Sequence, residues 1–241
     1  MSVIESTALG KRYGDTWALR DCTLDVPGGH IVALVGPAGA GKTTLLTMAA
    51  GLTRPTEGSV AVLGGVPAGS PDALEGVAFV AQDAPLCRSL PVADTLRVAR
   101  TVNRCWDQRR ADELLDWLGI PRWLTVGQLS GGQQAQLALT LALARRPGLL
   151  LLDEPLAALD PVARDDFLVS VVEAARDDGL SVVLSARGLA ELERVASYLI
   201  VLSRGILLSG GIVLSRGQVQ TAGSVEGLLT SDRAGAPSSS R

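Results

Sequence analysis

A glycine-rich segment that ends in lysine and threonine is the part of the chain best suited to chemistry. Gly36–Thr43 reads GPAGAGKT and fits the pattern G-x-x-x-x-G-K-[ST]. Glycines let the backbone wrap closely around a phosphate, so that successive N–H groups point inward at the start of a helix. Lys42 is long enough to reach β- and γ-phosphates, and the Thr43 hydroxyl suits Mg²⁺. The segment predicts a phosphate-binding loop.

An ordinary glycine-rich turn is the alternative interpretation, because the chain contains 27 glycines. Only Lys11 and Lys42 are lysines, however, and one of these two occupies the position that the pattern demands. We therefore favour the phosphate-binding loop. Its candidate binding residues are Gly36, Pro37, Ala38, Gly39, Ala40, Gly41, Lys42, Thr43 and Thr44.

Two adjacent carboxylates follow a short apolar run. Leu149–Leu152 consists of leucines alone, and Asp153 and Glu154 come directly after it. A buried strand would deliver Asp153 to the edge of a sheet beside the phosphate loop, where it could hold Mg²⁺ directly or through water. Glu154 could then polarise an attacking water as a general base. Taken alone, the pair could equally be solvated acids in a turn; the phosphate loop favours the catalytic interpretation.

A second candidate anion site is Leu129–Gln133, which reads LSGGQ. Ser130 is a good N-cap, and Gly131 and Gly132 expose N–H groups at the start of the helical run Gln134–Arg145. By itself this is an ordinary capped helix. Its position twenty residues ahead of the Asp-Glu pair distinguishes it from an ordinary capped helix.

The elements that must position these residues alternate between strand and helix. Ile31–Val35 predicts a strand buried on both faces, which leads through the glycine loop into a helix at Thr43–Ala50. The alternation resumes with a strand at Leu149–Leu152, a helix near Val162–Arg176 and a strand at Ser181–Leu184. This pattern predicts an α/β fold with a mainly parallel sheet and helices on both faces. Further strands are predicted at Val3–Leu9, Ala18–Val26, Ser59–Leu63 and Gly76–Val80, and a further helix near Leu189–Ala196.

The stretch from Asp83 to about Arg146 departs from this alternation. Its charges are denser, and its apolar residues recur three and four positions apart, as at Leu114, Leu115 and Leu118. The stretch predicts a mostly helical subdomain at about residues 83–146, inserted into a domain that spans residues 1–230.

A short repeat stands near the C-terminal end. Ile200–Gly205 and Ile212–Gly217 both read IVLSRG. Either copy could supply a hairpin that leads to a short helix at Val225–Leu229, and the extra copy predicts an added strand pair or a long turn. Residues 231–241 are small, polar and rich in Pro and Ser, which predicts a disordered tail.

Composition excludes several classes of protein. With 47% hydrophobic and 20% charged residues, the chain of 241 residues can bury a sizeable core, so global disorder is excluded. A formal net charge of −3 argues against a general attraction to nucleic acid. The apolar run Ala135–Ala144 is too short to cross a membrane, and the start of the chain lacks the long apolar segment of a signal peptide.

The cysteines indicate a reducing compartment, because their number is odd and their spacing suits no metal site. We expect Cys22, Cys87 and Cys105 to be small buried hydrophobes. Together with the composition, this predicts a cytoplasmic protein.

In their order and spacing, the three motifs resemble those of the nucleotide-binding subunits of ABC transporters, over about residues 3–229. The resemblance implies a P-loop NTPase core, with an antiparallel β subdomain and an inserted helical subdomain, that binds and hydrolyses ATP with Mg²⁺. It implies that two subunits, identical or different, close head to tail over two ATPs. It also implies a membrane-spanning permease partner, and hence a peripheral place on the inner face of the cell membrane. The residues of one subunit that would cap the γ-phosphate held by the other are Ser130, Gly131, Gly132 and Gln133.

The same resemblance implies roles for residues outside the three motifs. Tyr13 would stack on adenine. Gln82 would sense Mg²⁺ and the attacking water, and would link the core to the helical subdomain. Asp160 would lie at the interface of the subunit pair. Tyr13 could instead be a surface aromatic, and Gln82 a solvated loop residue.

Arg187 marks a departure from the family pattern. The family usually has a switch histidine at this position, just after the strand at Ser181–Leu184, that contacts the γ-phosphate. Arginine can neutralise phosphate charge, but it cannot exchange a proton near neutral pH. We therefore expect ATP binding and closure to survive while hydrolysis slows; a tolerated substitution or a one-residue misalignment is the alternative. Ala38, where the family often has Asn, is expected to have little effect.

The sequence thus predicts the ATPase subunit of a membrane transporter. The ending LSRGQVQTAG resembles that of exporter-type ATPases more than that of importers with regulatory C-terminal domains, which implies an exporter. A groove around Gln82 and the helices at Ala93–Arg104 would receive the cytoplasmic loops of the permease. A regulatory subunit with little hydrolysis is the alternative, because of Arg187. A soluble ABC-type ATPase acting on DNA or ribosomes is disfavoured, since neither a second cassette nor a long coiled-coil insertion is present. The lack of an Asn-Lys-x-Asp motif disfavours a GTPase.

Overall fold

Two β-sheets and six α-helices form the part of the chain that the computed structural model describes, namely residues 1–83, 85–157, 159–215 and 218–219. The strands are β1 (Ser2–Tyr13), β2 (Thr16–Pro27), β3 (Ile31–Val35), β4 (Glu57–Val62), β5 (Val66–Pro67), β6 (Val77–Val80), β7 (Leu149–Leu152), β8 (Ser181–Ala186), β9 (Tyr198–Ser203), β10 (Ile206–Ser215) and β11 (Gln218–Val219). The helices are α1 (Lys42–Ala49), α2 (Pro71–Gly76), α3 (Val92–Val102), α4 (Gln108–Trp117), α5 (Gly131–Leu143) and α6 (Pro161–Asp178).

The larger sheet has the strand order β11-β10-β9-β3-β8-β7-β6, and the five strands from β9 to β6 run parallel. Every residue of β3, β7 and β8 is buried, because both faces of the sheet are covered. Helices α5 and α6 cover one face, but α1 and the smaller β-sheet share the other, where helices alone were expected. The carboxyl ends of these three strands lie at one edge of the sheet. This edge therefore brings together the glycine loop after β3, the Asp-Glu pair after β7 and Arg187 after β8.

The smaller sheet is antiparallel, with the order β2-β1-β4-β5, and confirms the expected β subdomain. Strands β1 and β2 form a hairpin of twelve residues on each side, longer than the predicted Val3–Leu9 and Ala18–Val26. The prediction followed apolar residues, whereas the pairing continues through the exposed polar ends up to Tyr13 and Thr16. At the start of β6 the prediction was also shifted by one residue, because Gly76 ends α2 instead.

Helices α3, α4 and α5 form the helical subdomain, which has a small core of its own. Val92 and Leu96 of α3 share this core with Ala111 and Leu115 of α4, at the three- and four-residue spacing of a helix. None of the helices in the described ranges is both long and apolar enough to cross a bilayer.

The helix predicted near Leu189–Ala196 is wrong, since the structure has only a 3₁₀ turn at Leu189–Glu191. Two isolated helical hydrogen bonds follow, from Glu193 N–H to the carbonyl of Leu189 and from Ala196 N–H to that of Leu192. Gly188 precedes this segment and offers no capping side chain, and the segment does not continue as a regular helix beyond the 3₁₀ turn.

The first IVLSRG copy is built into the centre of the fold. Its apolar residues belong to β9, and Arg204 and Gly205 form the tight turn into β10, both with positive φ. The N–H of Gly205 donates to the carbonyl of Ala40 in the glycine loop, at 3.2 Å. The second copy lengthens β10, which pairs with β11, so the added strand pair is present. Arg216 and Gly217, the predicted helix Val225–Leu229 and the predicted tail lie outside the described residues.

The expectation for the cysteines is correct for one of the three. Cys22 is fully buried in β2, and burial raises the pKa of its thiol to about 11. Cys87 and Cys105 are exposed, because Cys87 lies in the connection before α3 and Cys105 in the one between α3 and α4, rather than in a packed element. Their prediction as buried hydrophobes was wrong.

Candidate phosphate and nucleotide site

The glycine loop after β3 has glycine where a side chain would collide with the backbone. A Cβ on Gly36 would lie 2.2 Å from the carbonyl oxygen of Leu202. A Cβ on Gly41 would lie 2.5 Å from that of Ala18, and Gly41 also has a φ of +96°. Only glycine fits at both positions, so the backbone carbonyls of β2 and β9 restrict the path of the loop.

The loop opens onto the start of α1, which has neither a capping side chain nor an acidic residue in its first turn. Helices α2, α4, α5 and α6 are capped by Ser70, Asp107, Ser130 and Asp160 respectively. The first N–H groups of a helix need an acceptor, and the helix dipole favours a negative one. The start of α1 is therefore suited to an external anion such as phosphate.

Lys42 lies inside this loop, with its side chain only 4% exposed. Its Nζ donates to the carbonyl oxygens of Gly36 at 2.8 Å and Pro37 at 3.2 Å. It also forms an ion pair with Oε1 of Glu154, at 3.1 Å. A buried ammonium that is bound to loop carbonyls and one carboxylate can exchange that carboxylate for a phosphate oxygen at little electrostatic cost.

Ser185 connects the two acids of the Asp-Glu pair, and sequence reasoning missed it. Its buried hydroxyl donates to Oδ1 of Asp153 at 2.8 Å and accepts from the N–H of Glu154 at 2.8 Å. Glu154 has a φ of +42°, a conformation that costs a non-glycine residue about 1–2 kcal/mol and that Ser185 helps to hold. The only sequence signal was the position of Ser185 at the end of the strand next to β7.

Arg187 donates from Nε to Oε2 of Glu154, at 3.1 Å. The arginine side chain is 65% exposed, whereas that of Glu154 is 12% exposed. Burial by itself raises the pKa of Glu154, but Lys42 and then Arg187 outweigh it by hydrogen bonding and charge. The pKa of Glu154 therefore lies below its usual range, and the carboxylate is ionised near neutral pH.

The oxygen donors at this edge of the sheet fit Mg²⁺. Asp153 is 3% exposed, and Thr43 is an exposed residue in the first turn of α1. In the described part of the chain, no cluster of three or more His, Cys, Asp or Glu residues could hold a metal ion alone. A Mg²⁺ ion would accordingly complete its six oxygen ligands with phosphate and water, as it usually does in nucleotide sites.

The LSGGQ segment forms the exposed start of α5. Ser130 and Gln133 make a capping box, in which the serine hydroxyl accepts from Gln133 N–H at 3.2 Å and the Gln133 side chain accepts from Ser130 N–H at 3.0 Å. A Cβ on Gly132 would lie 3.0 Å from Cβ of Ala163, which explains that glycine by packing. A Cβ on Gly131 would meet nothing within 4 Å, so packing within this subunit does not account for it.

The other predicted residues lie on separate elements. Tyr13 ends β1 and is 53% exposed, with the Nζ of Lys11 5.2 Å from its ring centroid. Gln82 is exposed in the turn after β6. Asp160 caps α6 by accepting from Ala163 N–H at 2.9 Å. The structure thus brings Lys42 and Arg187 into contact with the Asp-Glu pair, and it leaves these three side chains outside that cluster.

Replacement of Ser185 with alanine is expected to weaken Mg²⁺ binding about tenfold, because partners that orient metal ligands typically contribute this much. The variant leaves Oδ1 of Asp153 and the N–H of Glu154 without their common partner. The measurement is the Mg²⁺ concentration for half-maximal ATP hydrolysis. Ser170→Ala is the control, since this buried serine bonds only a carbonyl of its own helix, that of Asp166. An unchanged Mg²⁺ dependence would contradict the role of Ser185.

Comparison with known proteins agrees with this site. The family model described as "ABC transporter" matches residues 19–157, which include the glycine loop, the LSGGQ segment and the Asp-Glu pair. The ATP-binding protein FbpC for Fe(3+) import of Pseudomonas fluorescens is 36% identical over 212 residues, which are 85% of this chain and 60% of that protein. The sulfate/thiosulfate import ATP-binding protein CysA 2 of Chromobacterium violaceum is 37% identical over 202 residues, 82% of this chain and 55% of that protein. The chain thus spans little more than half the length of these relatives.

Solved structures show the same fold. An ATP-binding subunit of an ABC transporter has a TM-score of 0.76 and 25% identity, over 93% of this chain and 91% of that one. A dimeric ATP-binding cassette in a post-hydrolysis state with ADP and Pi has the same TM-score and identity, over 88% and 99% of the two chains. From the matched motifs, the arrangement of the glycine loop and the Asp-Glu pair at one sheet edge, and these likenesses, we conclude that the chain belongs to the ABC transporter family.

Proposed function

We propose that the chain is an ATP-binding and ATP-hydrolysing subunit that drives a membrane transporter. The observation that carries this proposal is the direct contact between Lys42 of the phosphate loop and Glu154 at the end of β7. It joins a phosphate-binding group and a candidate general base in one site, which is the minimum that phosphoryl transfer to water requires.

Each of these residues has its own role in the proposed hydrolysis of ATP. The loop N–H groups and Lys42 bind the β- and γ-phosphates, Thr43 and Asp153 hold Mg²⁺, and Tyr13 stacks on adenine. The bound Mg²⁺ supplies neutralisation of phosphate charge. Glu154 accepts a proton from a water whose oxygen attacks the γ-phosphorus. The bond from that phosphorus to the β–γ bridging oxygen breaks, and ADP and phosphate leave.

A second subunit completes the site in this proposal. The start of α5 is exposed, and Gly131 lacks a structural reason within its own subunit. Close approach of a backbone to an external phosphate is such a reason, because a Cβ would hold the two apart. We therefore place Ser130, Gly131 and Gln133 of one subunit over the nucleotide of the other, with Asp160 at the interface.

The variant Gly131→Ala tests this closure. The subunit itself is expected to keep or slightly raise its melting temperature, since alanine favours a helix over glycine and the added methyl group meets open space. Turnover is expected to fall at least about tenfold, as when one preorganised donor contact is weakened. Thermal unfolding checks the melting temperature and phosphate release checks the turnover, both measured on the same preparation. Undiminished turnover would contradict closure over this segment.

The direction of transport is proposed as import. The C-terminal ending favoured an exporter, but both relatives described above are named as import proteins, so the exporter interpretation is not supported. The import reading implies a membrane-spanning partner, with this subunit peripheral on the inner face of the membrane. Neither relative's cargo is carried over to this chain.

A regulatory subunit with little turnover is the second candidate, and the Arg187–Glu154 ion pair favours it. Both candidates share ATP binding and differ in hydrolysis. Phosphate release by the purified protein separates them. The transporter assignment is tested for either candidate by co-purification from detergent-solubilised membranes. We expect one defined multi-span membrane protein to co-purify with the wild type and with Lys42→Ala. Recovery of the protein without any membrane partner would contradict the assignment.

A further inference from the structure

Both oxygens of the Glu154 carboxylate are held by cations. Lys42 Nζ binds Oε1 and Arg187 Nε binds Oε2, each at 3.1 Å. The two cations differ in their surroundings, because Lys42 is enclosed by the phosphate loop whereas Arg187 comes from the end of β8 and is mostly exposed. A ligand can therefore remove one contact without touching the other.

Nucleotide binding would remove the contact with Lys42. The phosphates that enter the loop compete with Oε1 of Glu154 for the same ammonium group. Arg187 lies outside the loop, and our proposal requires it to stay on Oε2 rather than turn to the γ-phosphate, as the family resemblance implied for this position. After ATP has bound, Glu154 would keep one cation partner, whose N–H occupies the carboxylate oxygen Oε2 that would otherwise be open to the attacking water.

We propose that Arg187 acts as a brake on hydrolysis, a positioning residue that holds Glu154 back after ATP has bound. This inference rests on the proposed function, and it specifies which step limits turnover. Arg187 restrains the base, and water attack requires the guanidinium to move away from Oε2.

The surroundings of the pair allow this movement. Ser185, two residues before Arg187, is buried and bonded to both acids, so the backbone of this segment is anchored. The Arg187 side chain is instead largely exposed. A cavity of about 150 Å³ lies beside the pair and is lined by Ala157, Arg164 and Glu191. It offers Arg187 space and an alternative carboxylate.

The test compares steady-state ATP hydrolysis by the wild type, Arg187→Gln, Arg187→Lys and the control Arg194→Gln. Arg194 is an exposed arginine of the same β8–β9 connection. The Arg187–Glu154 pair is partly exposed, so solvent screens it and its loss has a moderate effect. We therefore expect Arg187→Gln to raise kcat about threefold to tenfold. KM is expected to stay unchanged, Arg187→Lys to stay near the wild-type rate, and Arg194→Gln to match the wild type.

Salt gives a second readout that a structural role would not change. At saturating ATP, added salt is expected to raise kcat of the wild type, because it screens the Arg187–Glu154 pair, and to have little effect on Arg187→Gln. An equal or lower kcat in a folded Arg187→Gln overturns the brake. If this variant fails to fold, a wild-type kcat that does not rise with salt overturns it. Failure of the wild type to bind ATP would overturn the proposed function instead, and a binding assay on the same samples separates the two failures.

Discussion

Replacement of Lys42 with alanine is expected to lower ATP turnover by about a hundredfold to a thousandfold, the usual loss when one preorganised donor to a transferring group is removed. The variant removes the ammonium group that lies inside the phosphate loop and contacts Glu154. The expected result also includes weaker ATP binding, because the β- and γ-phosphates lose their nearest positive charge. Phosphate release and equilibrium binding of a fluorescent ATP analogue measure both effects.

Lys11→Ala is the matched control, because it removes the only other lysine of the chain. Lys11 bonds the carbonyl of Arg54 and lies over the Tyr13 ring, so these contacts involve neither the phosphate loop nor Glu154. It is expected to leave kcat at saturating ATP unchanged. Equal turnover in Lys42→Ala and Lys11→Ala would show that the loop is not the phosphate site.

Replacement of Glu154 with glutamine is expected to separate hydrolysis from binding. Turnover should fall about a hundredfold to ten thousandfold, the range for loss of a general base. ATP binding should be kept or strengthened, since the neutral amide no longer competes with phosphate for Lys42. A stable subunit pair should then accumulate with ATP but not with ADP, because the γ-phosphate persists. Light scattering coupled to gel filtration measures the pair.

Glu193→Gln is the control for this variant, as an exposed acid after β8 that makes the same change of charge. It should hydrolyse ATP at the wild-type rate and form no lasting pair. Near-normal turnover in Glu154→Gln would assign the general base to another residue.

The sequence was enough to predict the sheet edge and the position of the glycine loop and the Asp-Glu pair at it. The glycine loop, the Asp-Glu pair and the buried strands before them depend on local patterns, namely glycine spacing and continuous apolar runs. The helical subdomain was also predictable, because Leu115 and its neighbours follow helical spacing.

The side-chain contacts that hold Asp153 and Glu154 in place were not predictable from local patterns. Ser185 joins the two acids from a neighbouring strand that lies about thirty residues further along the chain. Arg187 was expected to face the γ-phosphate, yet its bond to Glu154 depends on how β7 and β8 align, which no local pattern specifies. The helix predicted after Gly188 is also missing, so apolar spacing alone did not distinguish a helix from a 3₁₀ turn there.

Calorimetric titration of Mg-ATP into the wild-type protein, with Lys42→Ala alongside, tests the central claim most directly because it needs neither a membrane partner nor turnover. We expect saturable binding of one nucleotide per chain to the wild type, and binding weakened at least about tenfold in the variant, as for loss of a charge-assisted contact. Absence of saturable binding, or equal binding by the two proteins, would contradict the assignment of this loop as the nucleotide site.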